Sequence, residues 1–78
     1  MSMQELVELL SKALVDNPDA VQVSAREDGN CVLIELRVAS EDMGKIIGKQ
    51  GKIARAIRTL AKAQGVKAGK KVSVDILS

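Results

Sequence analysis

Two glycines three residues apart, Gly48 and Gly51 in the stretch IIGKQGKI (46–53), interrupt a region whose apolar spacing is helical on both sides. Upstream, Met43, Ile46 and Ile47 fall at i, i+3 and i+4. Downstream, Ile53, Ile57, Leu60, Ala61 and Gln64 make the buried stripe of a longer helix, with Gly65 as its natural stop. The chain must therefore fold around a short helix, a sharp turn and a long helix. Glycine spacing alone means little, because at about 7% Gly the pattern arises by chance roughly once per ~200 positions. Its meaning comes from what surrounds it.

A chain of 78 residues is read as one domain, residues 1–78, near the small end of what folds without staples. Its single cysteine, Cys31, rules out an internal disulfide and reads as an ordinary partly buried side chain. The absence of histidine removes the usual zinc and copper sites, so no metal or cofactor is expected. Packing must hold the fold. Apolar runs are too short to span a membrane, and the opening MSMQELVELL lacks the basic start of a signal peptide, so a cytoplasmic location is expected.

Ser2 and Glu5 form a capping box for a first helix with Met3, Leu6, Val7, Leu10, Ala13 and Leu14 on one face. That helix should end at DNPD, where Pro18 disfavours helical Asn17. VQVSAR alternates as a strand, Asp28-Gly29 marks a tight hairpin, and CVLIELRV is the most apolar strand, expected in mid-sheet. Val32, Ile34, Leu36 and Val38 share one of its faces, with Glu35 and Arg37 on the other. Ser40 reads as the cap of the short helix, with Glu41 and Asp42 in its first turn. KVSVDIL closes the chain, with Val72, Val74 and Ile76 facing inward. So small a sheet buries one face well, which puts all three helices there; the two-helix crossover makes the second and third strands parallel.

Charge is distributed unevenly. Residues 1–44 carry three basic and nine acidic side chains, a net of −6, whereas residues 45–78 carry nine basic ones and only Asp75, a net of +8. Nine basic residues that forgo opposite-sign pairing point to an anionic partner. With no Phe, Tyr or Trp, that partner is not bound by stacking on aromatic platforms. Gly48-Lys49-Gln50-Gly51 lies just before a helix N-terminus, where free N–H groups and the helix dipole attract anions. Glycine at both ends lets the backbone turn and a phosphodiester approach, with Lys49 and Gln50 pointing outward and Lys45 and Lys52 flanking. A nucleotide-hydrolysing P-loop does not fit, since GKIIGKQ has the wrong spacing and Gln50 where Ser or Thr is needed. Catalysis lacks its general base, and no enzyme is expected.

GKIIGKQGKIARAI (44–57), with an apolar pair before Gly48 and Ile53 two residues after Gly51, resembles the signature of K-homology (KH) domains. The element order matches the type II arrangement, and the similarity covers nearly the whole chain. It is closest in kind to the small bacterial single-KH RNA-binding proteins of the KhpA/YlqC family. The resemblance implies an α/β (α+β) fold of order α-β-β-α-α-β, with a three-stranded mixed sheet and three helices on one face. It implies single-stranded RNA as partner, in a four-nucleotide cleft between the GxxG loop and an aliphatic groove. On that basis Gly48, Lys49, Gln50 and Gly51 clamp the backbone, Gly44, Lys45 and Ile47 contribute from the preceding helix, and Lys52, Ile53 and Arg55 from the following one. Ile46, Ile57 and Leu60 match apolar positions expected in the core, and Val38 the groove floor.

The function so implied is an RNA chaperone or post-transcriptional regulator. It would act as a homodimer or with a larger KH-containing protein, because one small site binds weakly. A KH-fold protein-interaction module that has lost RNA binding is the alternative; Lys49 in the clamp, where acids would repel phosphate, favours RNA. A membrane-surface role for KIARAIRTLAK is disfavoured because that helix must also cover the core.

Overall fold

The computed structural model describes residues 2–78. Helix α1 (Met3–Leu14) starts at the expected capping box: Ser2 Oγ accepts the Glu5 N–H at 3.1 Å, and Glu5 Oε1 accepts the Ser2 N–H at 3.2 Å. The Ser2 backbone hydrogen bond, reinforced by the hydroxyl, lowers the Glu5 pKa. Beyond α1, Pro18–Ala20 forms a 3₁₀ turn with proline in its first turn. Strands β1 (Gln22–Asp28), β2 (Cys31–Arg37) and β3 (Lys71–Leu77) make a sheet in that order, with β2 central. β1 and β2 are antiparallel, and β2 and β3 parallel, joined by α2 (Met43–Ile47) and α3 (Lys52–Lys67). Among the described residues no helix is long and apolar enough to cross a membrane.

The core is aliphatic throughout. Val32, Ile34, Leu36 and Val38 supply its sheet side, as expected, and pack with Val72 and Val74 of β3, Val7 of α1, Ile46 of α2, and Ile57 and Ala61 of α3. All three helices thus cover one face.

Cys31, expected to be partly buried, is exposed, and local signals were misread at four further points. The hairpin pairs Asp28 with Cys31, so its two loop residues are Gly29 and Asn30, with Gly29 at φ +63°. On α1 the contact line is Met3, Val7 and Ser11, every fourth residue, which leaves Ala13 and Leu14 exposed. Ser40 caps nothing: Ser40–Asp42 is a 3₁₀ turn, and the fully buried Asp42 instead accepts the N–H groups of Asp16 (3.3 Å) and Asn17 (3.0 Å). Its carboxylate ties the loop after α1 to the start of α2. Finally, α3 passes through Gly65 to Lys67. Its stop is Gly69 at φ +71°, where Lys70 N–H bonds to Gly65 O (2.8 Å) and Gly69 N–H to Val66 O (3.1 Å), the paired bonds of a Schellman motif.

Ser11 has a testable consequence. Its Oγ is buried with no hydrogen-bond partner among the described residues. Ser11→Ala removes an unsatisfied hydroxyl and improves helix propensity, so it is expected to stabilise the fold by about 1 kcal/mol. Denaturant unfolding measures this, and a loss of stability would contradict the packing described.

Candidate nucleic-acid interface

Three of the four residues in the turn between α2 and α3, Gly48, Gln50 and Gly51, have positive φ. Gly48 closes α2 at φ 75°, its N–H bonded to Gly44 O at 2.9 Å, and Gly51 N–H returns to Gly48 O at 3.2 Å. Gln50 (φ 58°, ψ 25°) and Gly51 (φ 73°, ψ 14°) both lie in the left-handed region. Gln50 is the one non-glycine residue at positive φ among those described. This conformation projects Lys49 and Gln50 as an exposed tip.

The two glycines serve different ends. A Cβ on Gly48 would lie 2.6 Å from Ile53 Cγ1, so bare backbone here lets half-buried Ile53 pack under the turn. A Cβ on Gly51 would meet nothing within 4 Å, so that glycine answers to its φ alone and leaves open space above α3. No side chain caps the N-terminus of α3, whose first-turn N–H groups and dipole favour an anion. On α2, Gly44 is exposed with open space at its Cα, and half-buried Ile47 lies three residues on, along the same face.

The charged members of the expected site separate into two groups. Lys49, Lys52 and Arg55 are exposed and form no ion pair among the described residues. Lys45 is bonded to the Asp16 carboxylate, a contact that raises its pKa. Lys45 therefore belongs to the Asp16–Asp42 junction behind the turn rather than to the free cations at its tip. Among the described residues, Lys45 and Lys70 are the only two of the nine basic residues after position 44 that are paired, the latter with Glu27 at 2.7 Å. The charge asymmetry of the sequence survives folding as a largely unneutralised surface.

Apolar neighbours also divide. Ile46 and Ile57 are buried as expected of core, and Val38, expected on the groove floor, is buried with them, but Leu60 is 46% exposed, beside Lys52, Arg55, Ala56 and Thr59 around a shallow hollow. Ala54, Ala61 and Gly65 take the inner line of α3 instead, because small side chains let the helix approach the sheet. Sequence reasoning also passed over Arg58, whose Nε–H donates to the Val74 carbonyl of edge strand β3 at 3.3 Å. Its signal was the step Lys52, Arg55, Arg58, one cation every third residue.

The chain is 59% identical over 75 residues to the RNA-binding protein KhpA of Caldanaerobacter subterraneus, covering 96% of this chain and 100% of that protein. It is 55% identical to the RNA-binding protein KhpA of Clostridium acetobutylicum, with the same coverage. Among solved structures, Era in complex with MgGDPNP and nucleotides 1506–1542 of 16S ribosomal RNA superposes with a TM-score of 0.65 at 22% identity. That match covers 96% of this chain but 29% of Era, and it speaks to the fold alone. With residues 4–76 also matching the KH-domain model of KhpA and KhpB, the chain belongs to the KhpA/KhpB KH-domain family.

Proposed function

We propose that this domain binds single-stranded RNA without catalysis, the Gly48–Gly51 turn clamping the sugar-phosphate backbone. The observation that carries this reading is the uncapped N-terminus of α3 beneath a turn whose exposed tip bears Lys49, with Lys52 and Arg55, unpaired among the described residues, beside it. The names of its relatives support it. Gly44 and Ile47 would face bases along α2, and Ile53 holds the turn from below. In the cytoplasm such a module would act as an RNA chaperone or post-transcriptional regulator. Exposed Leu9, Leu14 and Leu60 on α1 and α3 offer apolar surface for a second copy or a larger KH partner, which would supply a second site.

Titration of a short unstructured RNA and its duplex over a range of salt tests the reading. With three or four phosphate contacts, log affinity for the single strand should fall against log salt with a slope of roughly −2 to −3. The duplex should bind worse, because paired bases cannot enter a narrow cleft. Equal affinity for both, or for anionic vesicles, would replace the proposal with nonspecific polyanion binding.

Gly44→Ala probes the α2 wall separately. It has room in the fold and raises helix propensity by up to about 1 kcal/mol, yet it fills the open surface against which a base would lie. The expected result is unchanged or higher thermal stability with weaker RNA binding. Undiminished binding would remove Gly44 from the interface.

A further inference from the structure

Arg58 lies on α3 seven residues past Gly51, beyond Lys52 and Arg55. Its Nε–H donates to the Val74 carbonyl at 3.3 Å, bridging α3 to the open edge of the sheet. A guanidinium hydrogen-bonded through Nε is restrained in its plane, and its two Nη groups retain four N–H donors. No carboxylate among the described residues pairs with them. The fork therefore stands ready along the seam between α3 and β3, while Lys52 and Arg55 lie within the two turns before it on the same helix.

We infer that Arg58 reads a base. This rests on the RNA-binding reading above and adds a specificity to it. A restrained pair of Nη donors matches two adjacent acceptors on one base edge, as in the bidentate pairing of arginine with guanine O6 and N7. Cytosine offers such a pair in O2 and N3. Adenine and uracil do not, because donors and acceptors alternate along their edges. Arg58 thus selects cytosine or guanine at one nucleotide of the bound strand, while Lys49, Lys52 and Arg55 hold phosphates without regard to sequence. Anchoring to Val74 strengthens the selection, since little side-chain freedom remains to be lost on binding.

The test uses four octanucleotides, U8 and its variants carrying one central C, G or A, titrated against the wild type and Arg58→Lys by fluorescence anisotropy. Lysine keeps the charge and loses the fork. The wild type should bind the C or G variant about tenfold more tightly than U8 or the A variant. Arg58→Lys should reduce that preference below about twofold and leave U8 affinity within about twofold of wild type. Arg58→Gln, uncharged and without the fork, should lose the preference as well. Equal wild-type binding of all four RNAs overturns the inference and leaves the RNA-binding proposal standing. So does an Arg58→Lys protein that keeps the preference, or one that weakens all four alike, which would mark Arg58 as a phosphate contact or a structural clasp. A wild type that binds none of them removes the RNA-binding proposal itself.

Discussion

Replacing Lys49 and Gln50 together by Asp is expected to lower affinity for single-stranded RNA by more than about 100-fold while the fold remains intact. The change removes one cation and places two carboxylates at the tip that meets the phosphates, turning attraction into repulsion at close range. Neither native side chain packs into the core, and exposed substitutions usually alter stability by no more than about 0.5 kcal/mol each. Position 50 is left-handed, a conformation that Asp adopts more readily than most residues, so the turn itself should persist. Because the tip would touch only backbone, every RNA sequence should weaken by the same factor. Titration of several unrelated oligonucleotides, with far-UV circular dichroism to confirm folding, decides the matter. A folded double mutant of unchanged affinity would refute the clamp.

Gly65→Ala is expected to damage the fold strongly although it adds a single methyl group. A Cβ there would lie 2.4 Å from Val72 Cγ2 and 2.9 Å from the Lys70 carbonyl oxygen. Val72 is β-branched and confined at χ1 within a strand, and the carbonyl belongs to backbone held by the Schellman bonds, so neither yields easily. Overpacking of about 3 kcal/mol, offset by about 1 kcal/mol of improved helix propensity, leaves a net loss of about 2 kcal/mol. For a domain of this size that lowers the melting temperature by roughly 10 °C. Thermal unfolding followed by circular dichroism suits a chain with no aromatic fluorophore. Adding Val72→Ala should recover part of the loss; a Gly65→Ala protein as stable as wild type would show that α3 can move away from β3.

Gly65 also shows where sequence reading stops. A glycine followed by a lysine-rich loop looks like a helix terminator, and the true terminator, Gly69, looks like any loop glycine. What distinguishes them is the side chain of Val72, which approaches only after β3 has paired with β2. The same holds for Ser11, Asp42 and Leu60. A serine in a contact line, a carboxylate serving N–H groups 25 and 26 residues away, and a leucine displaced by alanines are consequences of packing between distant segments. Features set locally were legible: the capping box, the alternation of β2, and the glycine-bounded turn. The parallel pairing of β2 with β3 was legible too, because connection rules constrain topology strongly. In the candidate site the turn with Lys49 and Lys52 could be read from spacing, and Arg55 followed from the resemblance to KH domains. The diversion of Lys45 to Asp16 could not, since it depends on Asp42 drawing that loop into reach.

The left-handed backbone at Gln50 bears on the tempo of binding. A side chain in that region costs roughly 1–2 kcal/mol that glycine would avoid, yet the turn holds it there through the chain's own Gly51 N–H to Gly48 O hydrogen bond. The tip is thus shaped during folding, and an RNA strand need not wait for it to form. For the proposed complex, association should run at the pace of encounter, hastened by the unneutralised cations, and differ little among RNA sequences. Selectivity would then reside in how long each strand stays. Stopped-flow measurements would show this as dissociation rates spread widely about a nearly constant association rate, and the opposite pattern would mean that the turn rearranges on contact.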